Sequence, residues 1–270
     1  RQRQMCIRDR FFVDLTKKDI MFYQNYCMNV LKVKSSRYRR MRSALSSLSN
    51  YVENMLDDEY PNFKNLVNKI EAPPKQEARE KSVFEDDEIQ KLLDYLVEKG
   101  DYHKACCLAL AVSCGARKSE LLRFKVSYFD DKNIIYGSLY KTPEKIITKG
   151  KGGKMLYKYT IKERFKPYFD LWMSKREELS IDSEWLFAYK KQGKSIQYKT
   201  SALDGWAEEF TEFLDKYFYW HSCRHNWCTG LIKANIPSSV VKEIGGWEST
   251  AMVDIYTCLL YTSPSPRDCS

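Results

Sequence analysis

Two adjacent prolines constrain the fold of this 270-residue chain more than any other local feature. Pro73 and Pro74 lie among charged residues, at the point where the helical spacing of apolar residues stops. Neither proline has a backbone N–H, and each disfavours a helical conformation in the residue before it, so no helix continues through the pair. We therefore predict a linker at residues 73–82, one domain at 11–72 and a second domain at 83–257.

The residues before the linker predict a domain built from helices. Apolar side chains recur with helical spacing over residues 16–26. A second helical face covers residues 41–55, and the serine pair at 35–36 is expected to cap that helix. A third, shorter helical face is predicted at residues 63–70.

The residues after the linker predict a mainly α domain with a small β-sheet near its middle. Strand patterns occur at 126–129 and 134–136, with a turn between them at 132–133. Two further strand patterns, at 145–148 and 155–159, flank a glycine-rich basic segment and predict a hairpin. Helices are expected near residues 85–99, 104–114, 162–178, 200–217, 221–234, 238–244 and 249–257.

Positive charge favours a polyanionic partner. The formal net charge is +9, and one basic run between residues 32 and 42 contains no acid. An aromatic residue, Tyr38, is interleaved in that run. We predict that the run binds DNA phosphates, with a merely solvated helix face as the alternative. Its basic residues are Lys32, Lys34, Arg37, Arg39, Arg40 and Arg42.

The sequence disfavours several other classes of protein. No apolar run approaches the length of about 18 residues that a membrane span needs, so no membrane partner is expected. The basic, polar N-terminus has no signal-peptide pattern, and the nine cysteines show no C-x-x-C pair. We therefore expect reduced thiols and a cytoplasmic location. The sequence has no Walker loop and no H-E-x-x-H motif, and its motif segments contain no paired carboxylates with metal-ligand spacing, so we expect no cofactor.

Both ends of the chain differ in character from the rest. Residues 1–10 and 258–270 show no apolar periodicity, and the final segment contains a Thr-Ser-Pro-Ser-Pro run. We interpret them as a non-native leader and a non-native tail.

Four short motifs with ordered spacing point to chemistry at phosphorus. Arg117 follows a glycine and precedes Glu120 by three residues. About a hundred residues later come His221 and Arg224, which are followed by a Gly-Trp pair that ends at Trp247. Tyr256 lies nine residues after that tryptophan. Each motif alone is a weak signal, whereas all of them in this order and spacing are a strong one.

This pattern resembles the tyrosine recombinase (phage integrase) family over about residues 11–257. The resemblance implies a helical core-binding domain followed by a tyrosine-recombinase catalytic domain, which clamp duplex DNA from opposite sides. It further implies site-specific strand exchange by a homo-tetramer on two DNA attachment sites in the host cell nucleoid. Integration or excision of a mobile element is the expected biological role.

The motif residues have distinct expected roles. Arg117 and Arg224 suit a phosphate clamp, because a planar guanidinium makes two parallel hydrogen bonds to phosphate and stays charged. The resemblance implies that Tyr256 attacks the phosphodiester and forms a 3′-phosphotyrosine link. His221 is the expected acid-base partner of that tyrosine. Trp247 takes the place where many family members have a histidine, and its indole can donate a hydrogen bond but cannot act as an acid.

Three lysines of the predicted hairpin tip are candidates for protonating the leaving 5′-oxygen. Lys151 matches the hairpin lysine of the family, while Lys149 and Lys154 remain alternatives and are expected to contact DNA. Glu120 is expected to orient Arg117 or His221 from behind. His225 lies on another helix face than His221 and is expected to be structural.

Other interpretations stay open at this point. An enzyme similar to a type IB topoisomerase uses a similar residue set for nicking and closing. A catalytically inert DNA-binding fragment is a second possibility, because the family's segment after the tyrosine docks onto a neighbouring protomer and the tail at 258–270 is interpreted as foreign. That interpretation predicts a monomer in solution. A Xer-like resolvase is disfavoured by Trp247.

Overall fold

A computed structural model describes residues 11–74, 84–148, 153–251 and 253–254. The chain divides into two compact units between Glu80 and Lys81. This division falls within the segment that the prolines predict as a linker. Most described residues are helical and the sheets are small, which confirms the predicted mainly α fold class.

The first unit begins with helix α1, Lys17–Asn25. Thr16 caps it, because its hydroxyl accepts a hydrogen bond from the Asp19 backbone while the Asp19 carboxylate accepts one from the Thr16 backbone. A π-helical turn, Tyr26–Val30, follows directly. The long helix α2 then spans Ser35–Met55.

The prediction that a serine caps α2 is wrong. Lys34 occupies the N-cap position, and no side chain caps the helix. The Ser35 hydroxyl is buried and donates instead to the backbone carbonyl of Pro74. This serine therefore attaches the end of the unit to the first turn of α2.

The predicted helix at 63–70 is also wrong, since only a 3₁₀ turn forms there, at Val67–Lys69. Asn65 explains the difference. Its side-chain amide donates to Asn50 Oδ1 at 2.6 Å, and its Oδ1 accepts from the Val67 backbone at 3.0 Å. These bonds satisfy the backbone locally and hold the segment against α2, so the apolar residues are buried without a helix.

The second unit is built around a central helix. Helix α3 spans Asp86–Glu98 and helix α4 spans Tyr102–Cys114, in which every residue from Ala105 to Cys114 is buried. Helix α4 packs mainly against α6 and α8. The remaining helices are α5 Lys118–Leu121, α6 Lys162–Glu178, α7 Thr200–Leu214, α8 Trp220–Lys233 and α9 Ser238–Gly245.

Seven short strands form three antiparallel sheets in the described part of the second unit. The three-stranded sheet has the order β1-β2-β5, and β3–β4 and β6–β7 are separate pairs. Ile146 faces Leu156 in the β3–β4 pair. The strands are β1 Ile134–Ile135, β2 Leu139–Lys141, β3 Ile146–Ile147, β4 Met155–Leu156, β5 Tyr159–Ile161, β6 Ala188–Lys191 and β7 Lys194–Gln197.

The strand predictions are partly correct. The β3–β4 pair confirms the two arms of the predicted hairpin, whose tip at 149–152 lies outside the described residues. The segment 126–129 is a 3₁₀ turn rather than a strand. Tyr128 and Phe129 are adjacent and both buried there, which the alternating faces of a half-buried strand do not allow. The β6–β7 hairpin has no counterpart among the predictions.

Helix ends agree with the predictions to within a few residues, with one larger difference. Helix α7 ends at Leu214 instead of 217, because Asp215 adopts a left-handed conformation with φ of 47°. In the helix predicted at 249–257, residues 251, 253 and 254 are helical, whereas 252 and 255–257 lie outside the described residues. None of the helices in the described part of the chain combines the length and hydropathy that a bilayer crossing requires.

An aromatic cage surrounds His103 on α4. Its imidazole stacks on Tyr198 with ring centroids 5.6 Å apart, and it meets the edge of Trp206 at 5.2 Å. Burial lowers the pKa of His103 to about 4, against the opposing charge of Asp101. The cage therefore holds the neutral imidazole at physiological pH.

The pH dependence of the unfolding free energy should show the effect of burying His103 in this cage. The unfolded chain takes up a proton at His103 near its ordinary pKa, whereas the folded chain does so only near pH 4, so stability is lost as the pH falls between these values. We expect this group to remove up to about 3 kcal/mol of unfolding free energy over that window. His103→Phe should remove that part of the loss in denaturant titrations at several pH values. An identical pH profile for both proteins would contradict the burial of a neutral imidazole.

Candidate active site

The turn after the central helix positions the first arginine of the motif. Helix α4 is followed by its C-cap residue Gly115, whose φ of 57° is left-handed, and Arg117 then occupies the N-cap position of α5. A Cβ at Gly115 would lie 2.4 Å from the Trp227 ring. Only glycine therefore fits this close and left-handed turn.

Glu120 holds Arg117 in a defined orientation. The Arg117 guanidinium donates to Glu120 Oε1 at 2.7 Å, and the Arg117 backbone N–H donates to Oε2 at 3.0 Å. The Glu120 side chain is fully buried, whereas the Arg117 side chain is 27% exposed. The carboxylate thus fixes the arginine from the buried side while the Arg117 side chain stays partly exposed.

The second arginine of the motif is fully buried. Arg224 lies on α8, and its Nη1 donates to the carbonyl oxygen of Gly115 at 2.6 Å. Its Nη2 donates to the carbonyl oxygen of Gly245, at the end of α9. Because Gly115 precedes Arg117 by only two residues, these bonds bring the two motif arginines to the same turn.

Trp247 covers Arg224. The guanidinium carbon lies 4.2 Å from the centroid of the Trp247 ring, which suits a cation–π contact. A left-handed Gly246, with φ of 71°, turns the chain so that Trp247 folds back on α9. A Cβ at Gly245 would lie 2.2 Å from the indole, so the tryptophan packs directly on the glycine backbone.

The two histidines of α8 have different environments. His221 is exposed, whereas His225 is only 4% exposed. Their rings meet edge to face with centroids 5.1 Å apart, and His225 also contacts Tyr219 edge to face. His221 therefore has the access that proton exchange with a substrate needs, and His225 has the burial of a structural residue.

The lysine hairpin is described only up to its tip. Lys154 is exposed, and its carbonyl accepts from both the backbone and the hydroxyl of Thr148, which closes the arms of the hairpin. Lys149 and Lys151 lie outside the described residues, and so does Tyr256. Leu156, on the second arm, would touch a Cβ placed at Gly246, so the hairpin packs against the turn that carries Trp247.

A buried lysine that the sequence motifs do not include completes the site. Lys158 is only 1% exposed, and its Nζ lies 2.7 Å from Glu120 Oε2. Alternation along the sequence from β4 to β5 could have identified it, because Lys158 is two residues from both Leu156 and Thr160 and faces inward. A lysine in that register must have a buried partner.

The charges of this cluster favour an ionised carboxylate. Burial would raise the pKa of Glu120, but Lys158 and the hydrogen bonds from Arg117 hold that pKa below its ordinary value. Burial lowers the pKa of Lys158, and the charge of Glu120 opposes this shift. The cluster thus combines three cations, Arg117, Arg224 and Lys158, with one anion, which suits an anionic ligand at the Arg117 turn.

The basic run of the first unit falls into two groups. Lys32, Lys34, Arg37 and Arg40 are exposed. Arg39 instead donates to the Pro73 carbonyl at 2.8 Å, and Arg42 donates to the carbonyls of Val67 and Ile70 at 2.9 and 2.7 Å. These two arginines hold the end of the unit on α2.

Comparison with known proteins identifies the family of this chain. Residues 82–262, well over half of the chain, match the sequence profile of the phage integrase family. The chain belongs to the phage integrase family. This integrase-family chain is 31% identical over 199 residues to the SPbeta prophage-derived recombinase-like protein YomM of Bacillus subtilis (strain 168). That match covers 73% of the chain but only 57% of YomM.

Solved recombinase structures share the fold of this integrase-family chain. One is the XerH site-specific recombinase bound to a palindromic difH substrate, with a TM-score of 0.64 and 20% identity over 91% of this chain and 69% of that one. Another is a lambda integrase (75–356) dimer bound to a core site, with a TM-score of 0.61 and 17% identity over 90% and 80% of the two chains. At such identity these likenesses show the fold.

Proposed function

We propose that this chain is a site-specific DNA recombinase that cuts and rejoins duplex DNA through a 3′-phosphotyrosine at Tyr256. It acts in integration or excision of a mobile element, as a homo-tetramer on paired attachment sites. The observation that carries this proposal is the hydrogen bond from Arg224 to the Gly115 carbonyl. It joins two arginines more than a hundred residues apart at one turn, with Trp247 stacked over the second.

The geometry supports different roles for Arg117 and Arg224 at the phosphate. Arg117 is open to solvent and held by Glu120, so it suits first contact with a non-bridging oxygen. Arg224 is closed in by Trp247 and two carbonyls, so it reaches the phosphate after the 245–247 turn moves. Positive charge fixed there stabilises the charge that develops on the phosphoryl oxygens.

The remaining roles concern protons. The exposed His221 exchanges a proton with the Tyr256 hydroxyl, and a lysine of the hairpin tip protonates the leaving 5′-oxygen. Lys151 is the proposed donor, with Lys149 and Lys154 as the alternatives. We propose that this chemistry needs neither metal nor ATP, because arginines replace the metal at the phosphate and the phosphotyrosine link retains the bond energy.

Covalent trapping tests the proposal. Nicked suicide duplexes carrying the end sequences of the element that encodes this chain are incubated with the protein in EDTA, without ATP, and run on denaturing gels. We expect a protein–DNA band with the parent and with Tyr261→Phe, and none with Tyr256→Phe. Tyr261 is the matched control because it is a second tyrosine five residues further on.

Three results would contradict the proposal. A band that survives Tyr256→Phe would assign the nucleophile elsewhere. Specific DNA binding without any band would indicate an inert DNA-binding protein. Relaxation of unrelated supercoiled plasmids, without preference for the element's ends, would favour a nicking-closing enzyme of the topoisomerase type.

The exposed face of α2 is the proposed DNA contact of the first unit. Ser36, Arg40, Ser43 and Ser47 are all exposed and recur at spacings of four, three and four residues, so they form one polar stripe along the helix. Short polar side chains let a helix approach base edges closely, and Arg40 adds a phosphate or guanine contact. Lys32, Lys34 and Arg37 extend the positive charge beyond the stripe.

A pair of arginine variants separates DNA contact from structure. Arg40→Ala should weaken binding to a mixed-sequence duplex and reduce the steepness with which log affinity falls with log salt by about one. The unfolding free energy should not change. Arg42→Ala should instead lower the unfolding free energy by about 1–3 kcal/mol, because two carbonyls lose their donor. Salt titrations and denaturant curves on both variants make the comparison. A stable Arg42→Ala with the lowered salt slope would contradict this assignment.

A further inference from the structure

Lys158 lies in the short segment that connects the lysine hairpin to the three-stranded sheet. It stands between β4, the second arm of the hairpin, and β5 of the three-stranded sheet. Its backbone N–H donates to the Thr142 hydroxyl at 3.0 Å, and its carbonyl accepts from the Thr142 backbone at 3.0 Å. The backbone of Lys158 is therefore fixed on both sides before its side chain makes any contact.

The side chain of Lys158 completes a two-sided clamp on Glu120. Its Nζ lies 2.7 Å from Oε2, and the Arg117 guanidinium lies 2.7 Å from Oε1. Glu120 is fully buried and Lys158 is 1% exposed, so neither ion is screened by bulk water. Lys158 and Arg117 are the charged groups that act on Glu120, and Cys114 and Arg224 are the further groups that act on Lys158.

The burial of the Lys158–Glu120 ion pair is not explained by its contribution to the free energy of folding alone. Removing two charges from water costs free energy that their attraction often does no more than offset, and an apolar pair of similar size can be as stable. An ionised Glu120, however, is what keeps the Arg117 guanidinium in one orientation. A buried carboxylate with only one cationic partner would protonate more easily.

We propose that Lys158 is a positioning residue of the recombinase site: it keeps Glu120 ionised, and Glu120 thereby holds Arg117 in the orientation that receives the DNA phosphate. This inference rests on the proposed function. It also connects the lysine hairpin to the arginine turn. Leu156 and Lys158 are two residues apart: Leu156 packs against the Gly246 turn, and Lys158 pairs with Glu120 at the Arg117 turn. Lys158 itself is too buried to touch DNA.

The test compares Lys158→Met with the parent in single-turnover formation of the covalent complex on the suicide duplexes. We expect a rate about 10- to 100-fold lower with unchanged DNA affinity, because Arg117 is misplaced rather than lost. The deficit should grow as the pH falls, since Glu120 now protonates at a higher pH. Lys158→Met combined with Glu120→Gln should lose that pH dependence, and Lys158→Arg should restore the rate at least in part.

Lys91→Met is the matched control, because Lys91 is exposed and pairs with Asp87 only at the surface. It should leave the rate unchanged at every pH. A Lys158→Met protein that cleaves at the parent rate would overturn the proposal, and so would a deficit that is constant over pH. If Lys158→Met does not fold, Lys158→Arg alone tests the proposal. A cleavage rate that drops more steeply than the parent rate as the pH is lowered would show that the retained charge does not keep Glu120 ionised, and this would overturn the proposal.

A measurement without DNA separates this inference from the proposed function. The Glu120 carboxyl can be followed by ¹³C NMR with labelled glutamate, assigned by Glu120→Gln, in the parent and in Lys158→Met. We expect Glu120 to titrate at a higher pH in the variant, whether or not the parent cleaves DNA. Equal titration in both proteins overturns the role of Lys158, whereas a parent without covalent complex overturns the proposed function.

Discussion

Arg224→Lys is expected to lower the rate of covalent-complex formation about 100- to 1000-fold. Lysine keeps the positive charge but loses the planar fork that holds the two carbonyls and that can make paired hydrogen bonds to a phosphate. The carbonyls of Gly115 and Gly245 are both partners of this fork, so one of them loses its donor in the variant. The unfolding free energy should fall by about 2 kcal/mol as a result.

Arg164→Lys is the control for this substitution. Arg164 pairs with Asp86 at 3.0 Å, with both side chains substantially exposed, so its replacement should cost less than about 1 kcal/mol and leave cleavage unchanged. Rates come from denaturing gels and stabilities from denaturant titration. Parent-like cleavage by Arg224→Lys would remove Arg224 from the phosphate clamp.

Gly115→Ala is expected to lower the unfolding free energy by about 3–5 kcal/mol. Two causes add. The φ of 57° is strained for any residue with a Cβ, and that Cβ would lie 2.4 Å from the ring of Trp227, which is rigid and buried. Cleavage should fall as well, because the Gly115 carbonyl is the acceptor that holds Arg224.

Gly137→Ala separates the two causes. Gly137 also has a left-handed φ, of 70°, but a Cβ there would meet no atom within 4 Å. Its replacement should therefore cost only about 1–2 kcal/mol from backbone strain. Equal losses for both alanine variants in denaturant titration would contradict the packing of Trp227 on the Gly115 turn.

The helices could be predicted from sequence because each has a clear local signal. Thr16 and Asp19 form the capping box of α1, and the ten buried residues of α4 follow one another without interruption. The segments 63–70 and 126–129 could not be predicted, because side-chain contacts from distant residues override their local pattern. Asn65 bonded to α2 is the clearest case.

The candidate site likewise contains residues that can be predicted from the sequence and residues that cannot. Arg117, His221, Arg224 and Trp247 can be named from their spacing, and the structure brings the two arginines and the tryptophan together. Alternation marks Lys158 as an inward-facing residue, but its partner, Glu120, lies 38 positions earlier, and only the folded chain shows that they meet. The basic run likewise reads as one uniform patch, whereas the folded chain uses Arg39 and Arg42 to bind its own carbonyls.

Locating the bond between DNA and protein tests the proposed nucleophile, Tyr256, most directly. The covalent complex from a suicide duplex is digested with nuclease and trypsin, and the tryptic peptide 243–267, which contains both Tyr256 and Tyr261, is fragmented in a mass spectrometer. We expect a nucleotide attached through its 3′-phosphate to Tyr256. A nucleotide on Tyr261 or another residue, or a 5′-phosphate link, would contradict it.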